Sequence, residues 1–332
     1  LARSEKVAPD NTIDKLSLFC GVPKAAIALL PNADTVYQVP LTLEDNGSGD
    51  YITKRLGLGL LKSKNKSWRS FVDHVIAPKK KLYKVGMVAK YLDNEDSYFS
   101  VVEALKAAGW DNSADVQIEW IDAERLERSP RTVGKVLKSV DGIVVPGGFG
   151  NRGIEGKILA ADYALKNNLP YLGLCLGMQV AAISAVRQTG IKDANSTEFD
   201  PRTPEPVINT MDDQVGKEGT GGTMRLGAYK CSLKSGSIAK KLYKQTMISE
   251  RHRHRYELNS KYIPALNKQG LDVSGVWEEK GLAEIIEKKD HRFFVASQFH
   301  PEFTSRPNRP HPLFVGFINS LKKPVKLATI KQ

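Results

Sequence analysis

The chain has 332 residues, 41% of them hydrophobic and 26% charged, with a formal net charge of +12. That balance is expected of a soluble globular protein, and the length allows two domains or one large α/β domain with a smaller appendage; the sequence shows no bilayer-length apolar run and no signal-peptide pattern. Three cysteines, Cys20, Cys175 and Cys231, are too few and too scattered for a disulfide framework or a zinc site, and point to a reducing, cytoplasmic setting.

Residues 1–45 mix short apolar runs, Leu16 to Cys20, Ala25 to Leu30 and Asp34 to Leu41, that are too few to close a core of their own. Residues 46–81, with their glycines, their Leu-Gly alternation and a polar basic run, read as an irregular linker. From Tyr83 the pattern changes. A strand is predicted over 83–91, a helix over 97–108 stopped by Gly109, and a strand over 116–121. A short helix near 132–138, a strand over 141–146, a glycine loop, a helix over 155–166 and a strand over 170–174 follow. Alternation at this spacing predicts βαβ units and a parallel sheet with helices on both faces. Ligands of such sheets bind at the carboxyl ends of strands, where Gly147, Gly148 and Cys175 all fall. Beyond Arg187 the alternation stops. Residues 200–222 read as a surface insertion, 226–233 and 273–277 as strands, 283–287 with 293–299 as a hairpin, and 312–321 as a last helix.

Cys175 stands between a strand and a helix and is flanked by Gly173 and Gly177. This is the thiol form of a nucleophile elbow, a turn so sharp that its flanks must lack a Cβ, with a helix N-terminus aimed at the sulfur to favour thiolate. A thiolate nucleophile needs a base, and the base an orienting acid. Of the six histidines, His300 follows a strand and precedes Pro301 and Glu302. An extended segment stiffened by the proline would hold His300 and Glu302 on one side. The oxyanion of acyl transfer needs two donors. Leu176 N–H, just after the nucleophile, is one, and the loop from Val145 to Gly150 is the candidate for the second. No Gly-Lys-Ser/Thr follows that loop, which argues against a phosphate cradle.

Pro146-Gly-Gly, the Gly173–Gln179 elbow and His300-Pro-Glu302 resemble the class I (triad) glutamine amidotransferases. The stretches Gly148–Gly156, Asn195–Phe199, Gly221–Gly227, Glu250–Glu257 and Ser297–Thr304 narrow the likeness to the CTP synthases, over residues 1 to about 322. The resemblance implies a flavodoxin-like amidotransferase domain over 82–322. It would be preceded by an incomplete α/β remnant of the synthetase (amidoligase) domain over 1–45 and the linker over 46–81, and followed by a basic tail over 323–332.

It implies that Cys175, His300 and Glu302 hydrolyse L-glutamine through a thioester, with Gly148 and Leu176 as oxyanion amides. Gln179, Glu198 and Arg255 would hold the substrate's amino acid end, Arg255 by side chain or backbone. Charge agrees, since a carboxylate suits an ammonium and a guanidinium a carboxylate. The ammonia would aminate UTP to CTP at the expense of ATP with Mg²⁺. GTP would activate through the 149–156 lid, with Arg152 as its contact, and Lys15 would line the UTP/CTP pocket. No cofactor or metal is implied for the glutaminase domain itself, and a homotetramer is implied for the full-length enzyme. The family's phosphate loop, Mg²⁺ acids and most of its UTP site precede the position matched by Leu1, so the ligase step is expected to be absent from this stretch.

Two other readings compete. A glutaminase subunit of another pathway, or a γ-glutamyl hydrolase, would share the triad, but the synthetase-like 1–45 and the lid speak against it. A non-catalytic assembly fragment or a basic nucleic-acid-binding protein would not need an intact triad, and the Lys and Arg residues are spread along the chain with no recognition motif. Neither nucleic acid nor membrane is therefore an expected partner, and nucleotides are the expected beneficiaries of the positive field.

Overall fold

The computed structural model describes residues 1–332 except 7, 10, 60–64, 91, 93–94, 211–223 and 322–332. The predicted basic tail, Tyr91 and most of the predicted insertion lie outside the described residues. Its contacts divide the chain into two units, Leu1–Pro78 and Lys79 onward.

The first unit holds β1 (Ala2–Ser4), α1 (Thr12–Cys20), β2 (Leu29–Pro31), α2 (Val39–Asp45), α3 (Ser48–Arg55) and α4 (Lys66–Ile76), with β1 and β2 paired in parallel. The irregular linker expected over 46–81 is thus corrected, since α3 and α4 occupy much of it. The polar run hid an amphipathic repeat in which Trp68, Phe71, Val72 and Val75 follow the i, i+3, i+4, i+7 spacing of a helix face. Trp68 and Phe71 pack edge-on and tilted around Tyr37, and Trp68 Nε1 donates to Tyr37 O at 2.8 Å.

The second unit runs β3 (Leu82–Ala89), α5 (Phe99–Asp111), β4 (Asp115–Asp122), α6 (Ala123–Arg128), α7 (Val133–Leu137), β5 (Gly142–Val145), α8 (Ile154–Asn167), β6 (Tyr171–Leu174) and α9 (Leu176–Gln188). It continues with β7 (Ala194–Ser196), β8 (Glu205–Thr210), β9 (Arg225–Leu233), α10 (Ile238–Tyr243), β10 (Met247–His254), β11 (Tyr256–Leu258) and α11 (Ile263–Lys268). β12 (Leu271–Trp277), β13 (Leu282–Lys288), β14 (Phe294–Ser297) and α12 (Pro312–Ser320) close it.

Nine strands form one sheet in the order β10-β9-β12-β13-β14-β6-β5-β3-β4. From β14 to β4 neighbours are parallel, while β10, β9, β12 and β13 extend the sheet antiparallel. β7, β8 and β11 make a small second sheet. Period-two alternation sends side chains to opposite faces. Ile143, Val145 and Tyr171 pack with α6, α7, α8 and α9, whereas Val144, Leu172 and Leu174 pack with α5, α10 and α12.

Some local expectations are corrected. Helix α5 runs through Gly109 to Asp111, because that glycine serves close packing: an added Cβ would lie 2.9 Å from Ala114 O. The expected insertion over 200–222 contains a strand, β8. The residues 247–254 form β10, whose exposure alternates residue by residue and leaves Arg251 and Arg253 exposed, as a solvated basic face would be. Among the described residues no helix is long and apolar enough to cross a membrane.

Gly156 shows how tightly α8 is seated, since a Cβ there would lie 1.8 Å from the Ala123 carbonyl oxygen of α6. Backbone cannot yield as a side-chain tip can, so Gly156→Ala should lose about 1–3 kcal/mol of stability. The midpoint of urea unfolding measures it, and an unchanged midpoint would show that α8 shifts freely.

Candidate active site

Four neighbouring parallel strands, β3, β5, β6 and β14, end on the same side of the sheet, and each hands over one part of the site. After β6 comes Cys175, buried, with φ 52° and ψ −103°. An L-residue avoids that conformation at a cost of about 1–3 kcal/mol unless its surroundings enforce it. Here they do. Cys175 N donates to Ser297 O at 2.7 Å, and Met178 N closes the first turn of α9 onto Cys175 O at 3.0 Å. A Cβ at Gly177 would lie 2.1 Å from Val145 O, and one at Gly173 would lie 2.8 Å from Ala296 Cβ. Both glycines are thus required by close approach rather than by unusual φ.

After β14 comes His300. Its Nδ1 lies 2.7 Å from Glu302 Oε1, and Phe303 stacks on the ring at 4.8 Å between centroids. The expected extended segment is corrected, because Pro301–Phe303 is a 3₁₀ turn. With proline starting the turn, Glu302 folds back to its histidine two residues away. His300 N donates to Arg251 O at 2.8 Å, which ties the base to β10. Among the described residues the ring's buried Nε2 makes no hydrogen bond of normal geometry, and Cys175 acts on the ring electrostatically. Burial disfavours imidazolium, but the Cys175 thiolate and the Glu302 carboxylate outweigh it and hold His300 well above the usual histidine range.

After β5 comes the loop Pro146–Gly150. A Cβ at Gly147 would meet His300 Cε1 at 2.9 Å and Cys175 Cβ at 3.6 Å, so this backbone lies against the nucleophile and its base. Leu176 N–H, at the first position of α9, has no acceptor within its helix. Gly147, Gly148, Cys175, Arg253, His300 and Phe303 share the wall of a cavity of about 320 Å³.

Of the expected substrate-holding residues, Gln179, Glu198 and Arg255 are not among those that line this cavity. Gln179 is buried, with Nε2 donating to Tyr256 O at 3.1 Å and to Gln298 Oε1 at 3.3 Å. Glu198 accepts from Gly150 N at 2.8 Å, so in this arrangement its carboxylate holds the glycine loop. Burial raises its pKa, opposed by that hydrogen bond and by Lys90. Arg255 is half-buried between β10 and β11. Arg152, the expected lid contact, pairs with Glu124 at 2.8 Å and donates to Lys90 O at 3.0 Å. Lys15 is exposed on α1 of the first unit and is not among the residues lining that unit's cavity, which include Arg3, Pro31 and Val39.

Several residues escaped the sequence reading. Gln298 Nε2 lies 3.7 Å from Cys175 Sγ and links it to Gln179. Lys90, directly after β3, donates to Gly150 O at 2.8 Å and to Phe149 O. Burial pulls it down to about 8, opposed by Glu198 and helped by Arg152. Lys157 on α8 donates to Pro146 O at 3.1 Å. Behind His300, Arg225 pairs with Glu284 at 2.7 Å and Glu257 at 3.1 Å, and its guanidinium lies over the rings of Tyr229 and Trp277. His252 and His254 are buried beside this cluster, 2.8 Å apart, whereas Arg251 and Arg253 are exposed. Only the period-two spacing of 250–254 signalled that arrangement. Among the described residues no group of three His, Cys, Asp or Glu side chains is placed to hold a metal ion.

Comparison with known proteins places these features in a family. The family description "Glutamine amidotransferase class-I" matches residues 92–320, and "CTP synthase N-terminus" matches residues 1–58. The chain is 49% identical to the CTP synthase of Caldanaerobacter subterraneus over 97% of its own length and 59% of that protein. It is 50% identical to the CTP synthase of Roseiflexus castenholzii over 96% and 57% respectively. The chain thus spans about three-fifths of the length of these curated relatives. Among solved structures it is similar to the Trypanosoma brucei CTPS glutaminase domain with bound acivicin. The two are 40% identical with a TM-score of 0.68, covering 72% of this chain and 93% of that one.

The charge relation between Glu302 and His300 is directly measurable. Glu302→Gln removes one of the two negative groups that hold the imidazolium, so the His300 pKa should fall. In the wild type His300 stays protonated well above pH 6.5 and loses its proton as pH rises through the raised value. NMR titration of ¹³C-labelled histidine follows this, and an unmoved His300 would show that Glu302 does not set its charge.

Proposed function

The chain belongs to the CTP synthase family, whose glutaminase part is a class-I glutamine amidotransferase, and we propose that it hydrolyses L-glutamine to glutamate and ammonia. The observation that carries this reading is the strained Cys175 elbow beside a His300–Glu302 pair, at the ends of adjoining strands β6 and β14.

On this reading His300 already holds the proton as imidazolium beside the Cys175 thiolate, and the sulfur attacks the side-chain amide carbon. Developing negative charge on the amide oxygen is met by the N–H groups of Gly148 and Leu176, placed before the reaction begins. The C–N bond breaks as His300 returns the proton to the leaving nitrogen, and ammonia departs from a thioester. Water, giving a proton to His300, then attacks the thioester, releases glutamate and restores the thiolate beside the imidazolium. Glu302 accepts from Nδ1 throughout and stabilises the imidazolium.

Gln179, Glu198 and Arg255 hold the α-amino and α-carboxylate ends of the substrate. For Glu198 this requires its Gly150 contact to yield to the ammonium. The ammonia serves the ATP- and Mg²⁺-dependent amination of UTP to CTP in the full-length, tetrameric enzyme, and residues 1–45 are the end of its synthetase domain, a reading supported by the match to "CTP synthase N-terminus" over residues 1–58. GTP activates through the 149–156 lid by way of Arg152, and Lys15 contributes to the UTP/CTP pocket. The setting is the cytoplasm.

Release of glutamate from glutamine by the purified chain tests the reading, with Cys175→Ala as its control. Turnover by the wild type should fall by roughly 10⁴-fold or more in the variant, because no other nucleophile stands in the elbow. Equal activity of the two proteins would refute it.

A further inference from the structure

The glycine loop after β5 rests on an amine that the reaction above does not use. Lys157 is fully buried on α8, and its Nζ donates to Pro146 O at 3.1 Å. A Cβ added at Gly148 would lie 3.9 Å from the same Nζ, whereas one at Gly147 would meet His300 and Cys175. Gly148 thus lies beside the amine and Gly147 beside the nucleophile and its base.

Consecutive glycines let the peptide between them turn over at little steric cost. Turning it over exchanges N–H for C=O, and an oxyanion donor becomes an oxygen that repels the developing charge. In its protonated form a lysine amine has three donors and no acceptor, so it donates to carbonyl oxygens on its side. Lys157 takes the carbonyl at the start of the loop, and Lys90 takes Phe149 O and Gly150 O at its end.

We propose that Lys157 is a positioning residue for glutamine hydrolysis: by holding Pro146 O it keeps the Gly147–Gly148 peptide turned with its N–H toward Cys175, ready for the oxyanion. This rests on the glutaminase reading above. Packing alone does not call for lysine here, since methionine fills a similar volume without a buried charge. Burial draws the Lys157 pKa down to about 7, Lys90 adds to the shift and Cys175 opposes it.

The test is Lys157→Met in the full chain, read in three ways. Glutamine hydrolysis passes through an oxyanion, whereas alkylation of Cys175 by iodoacetamide displaces iodide at a saturated carbon and does not. We expect kcat to fall about 10-fold or more, approaching the roughly 10²–10³-fold lost when an oxyanion donor is itself removed. KM and the alkylation rate at Cys175 should stay within about threefold of the wild type, and the melting temperature should not fall. Unchanged hydrolysis would overturn the proposal. Equal losses in hydrolysis and alkylation would overturn it too, by showing that Lys157 acts on the nucleophile. A lowered melting temperature with both rates reduced would mark a structural residue and equally overturn it. Should the Met variant not fold, Lys157→Gln is judged by the same three readings. Wild-type hydrolysis that persists in the variant refutes the proposal alone, whereas no hydrolysis by the wild type refutes the glutaminase reading together with it.

Discussion

At Cys175 the backbone turns through a left-handed φ of 52° that costs a side-chain-bearing residue of order 1–3 kcal/mol, and the surroundings are arranged to keep it there. Its N–H is claimed by Ser297 of β14, its carbonyl by the first turn of α9, and its flanks are glycines pressed against β5 and β14. Relaxing the turn would break the first hydrogen bond and drive backbone into backbone at Gly177. The strain is thus retained by packing from two neighbouring strands rather than by the loop itself.

From that constraint the rest of the site follows. The residue that accepts the Cys175 N–H lies three positions before His300, so the bond that holds the elbow also registers the base against the nucleophile. Burial then makes charge decisive. With little water to screen them, Glu302 and the cysteine together outweigh the desolvation of the imidazole ring. The same burial depresses Lys90 and Lys157, the two amines that hold the glycine loop by its carbonyls. Attacking group, base and loop are each fixed by a different strand end, and no large movement is needed to bring them together.

Much of this was legible in the amino-acid order. The alternation from Tyr83 to Val186 announced the parallel half of the sheet, and glycines at 173 and 177 announced the elbow, since few other arrangements require both. Features that depend on three-dimensional neighbours were not legible. Lys157 sits in a helix where a lysine reads as a solvated face, and only the fold shows that the face points inward. Gln298 differs from any strand-end glutamine only by lying 3.7 Å from Cys175 Sγ. Helix α4 was missed because a basic composition masked its Trp68–Phe71–Val72–Val75 stripe. The Pro301 turn was misread because proline suits an extended segment and the start of a helical turn equally well.

The most direct test of the account is a crystal structure of the chain treated with an electrophile that mimics the side chain of glutamine. The account requires a single adduct on Cys175 Sγ, with the adduct's oxygen within hydrogen-bond distance of both Gly148 N and Leu176 N and the Cys175 φ still positive. An adduct on Cys20, or one whose oxygen points away from those two amides, would contradict it.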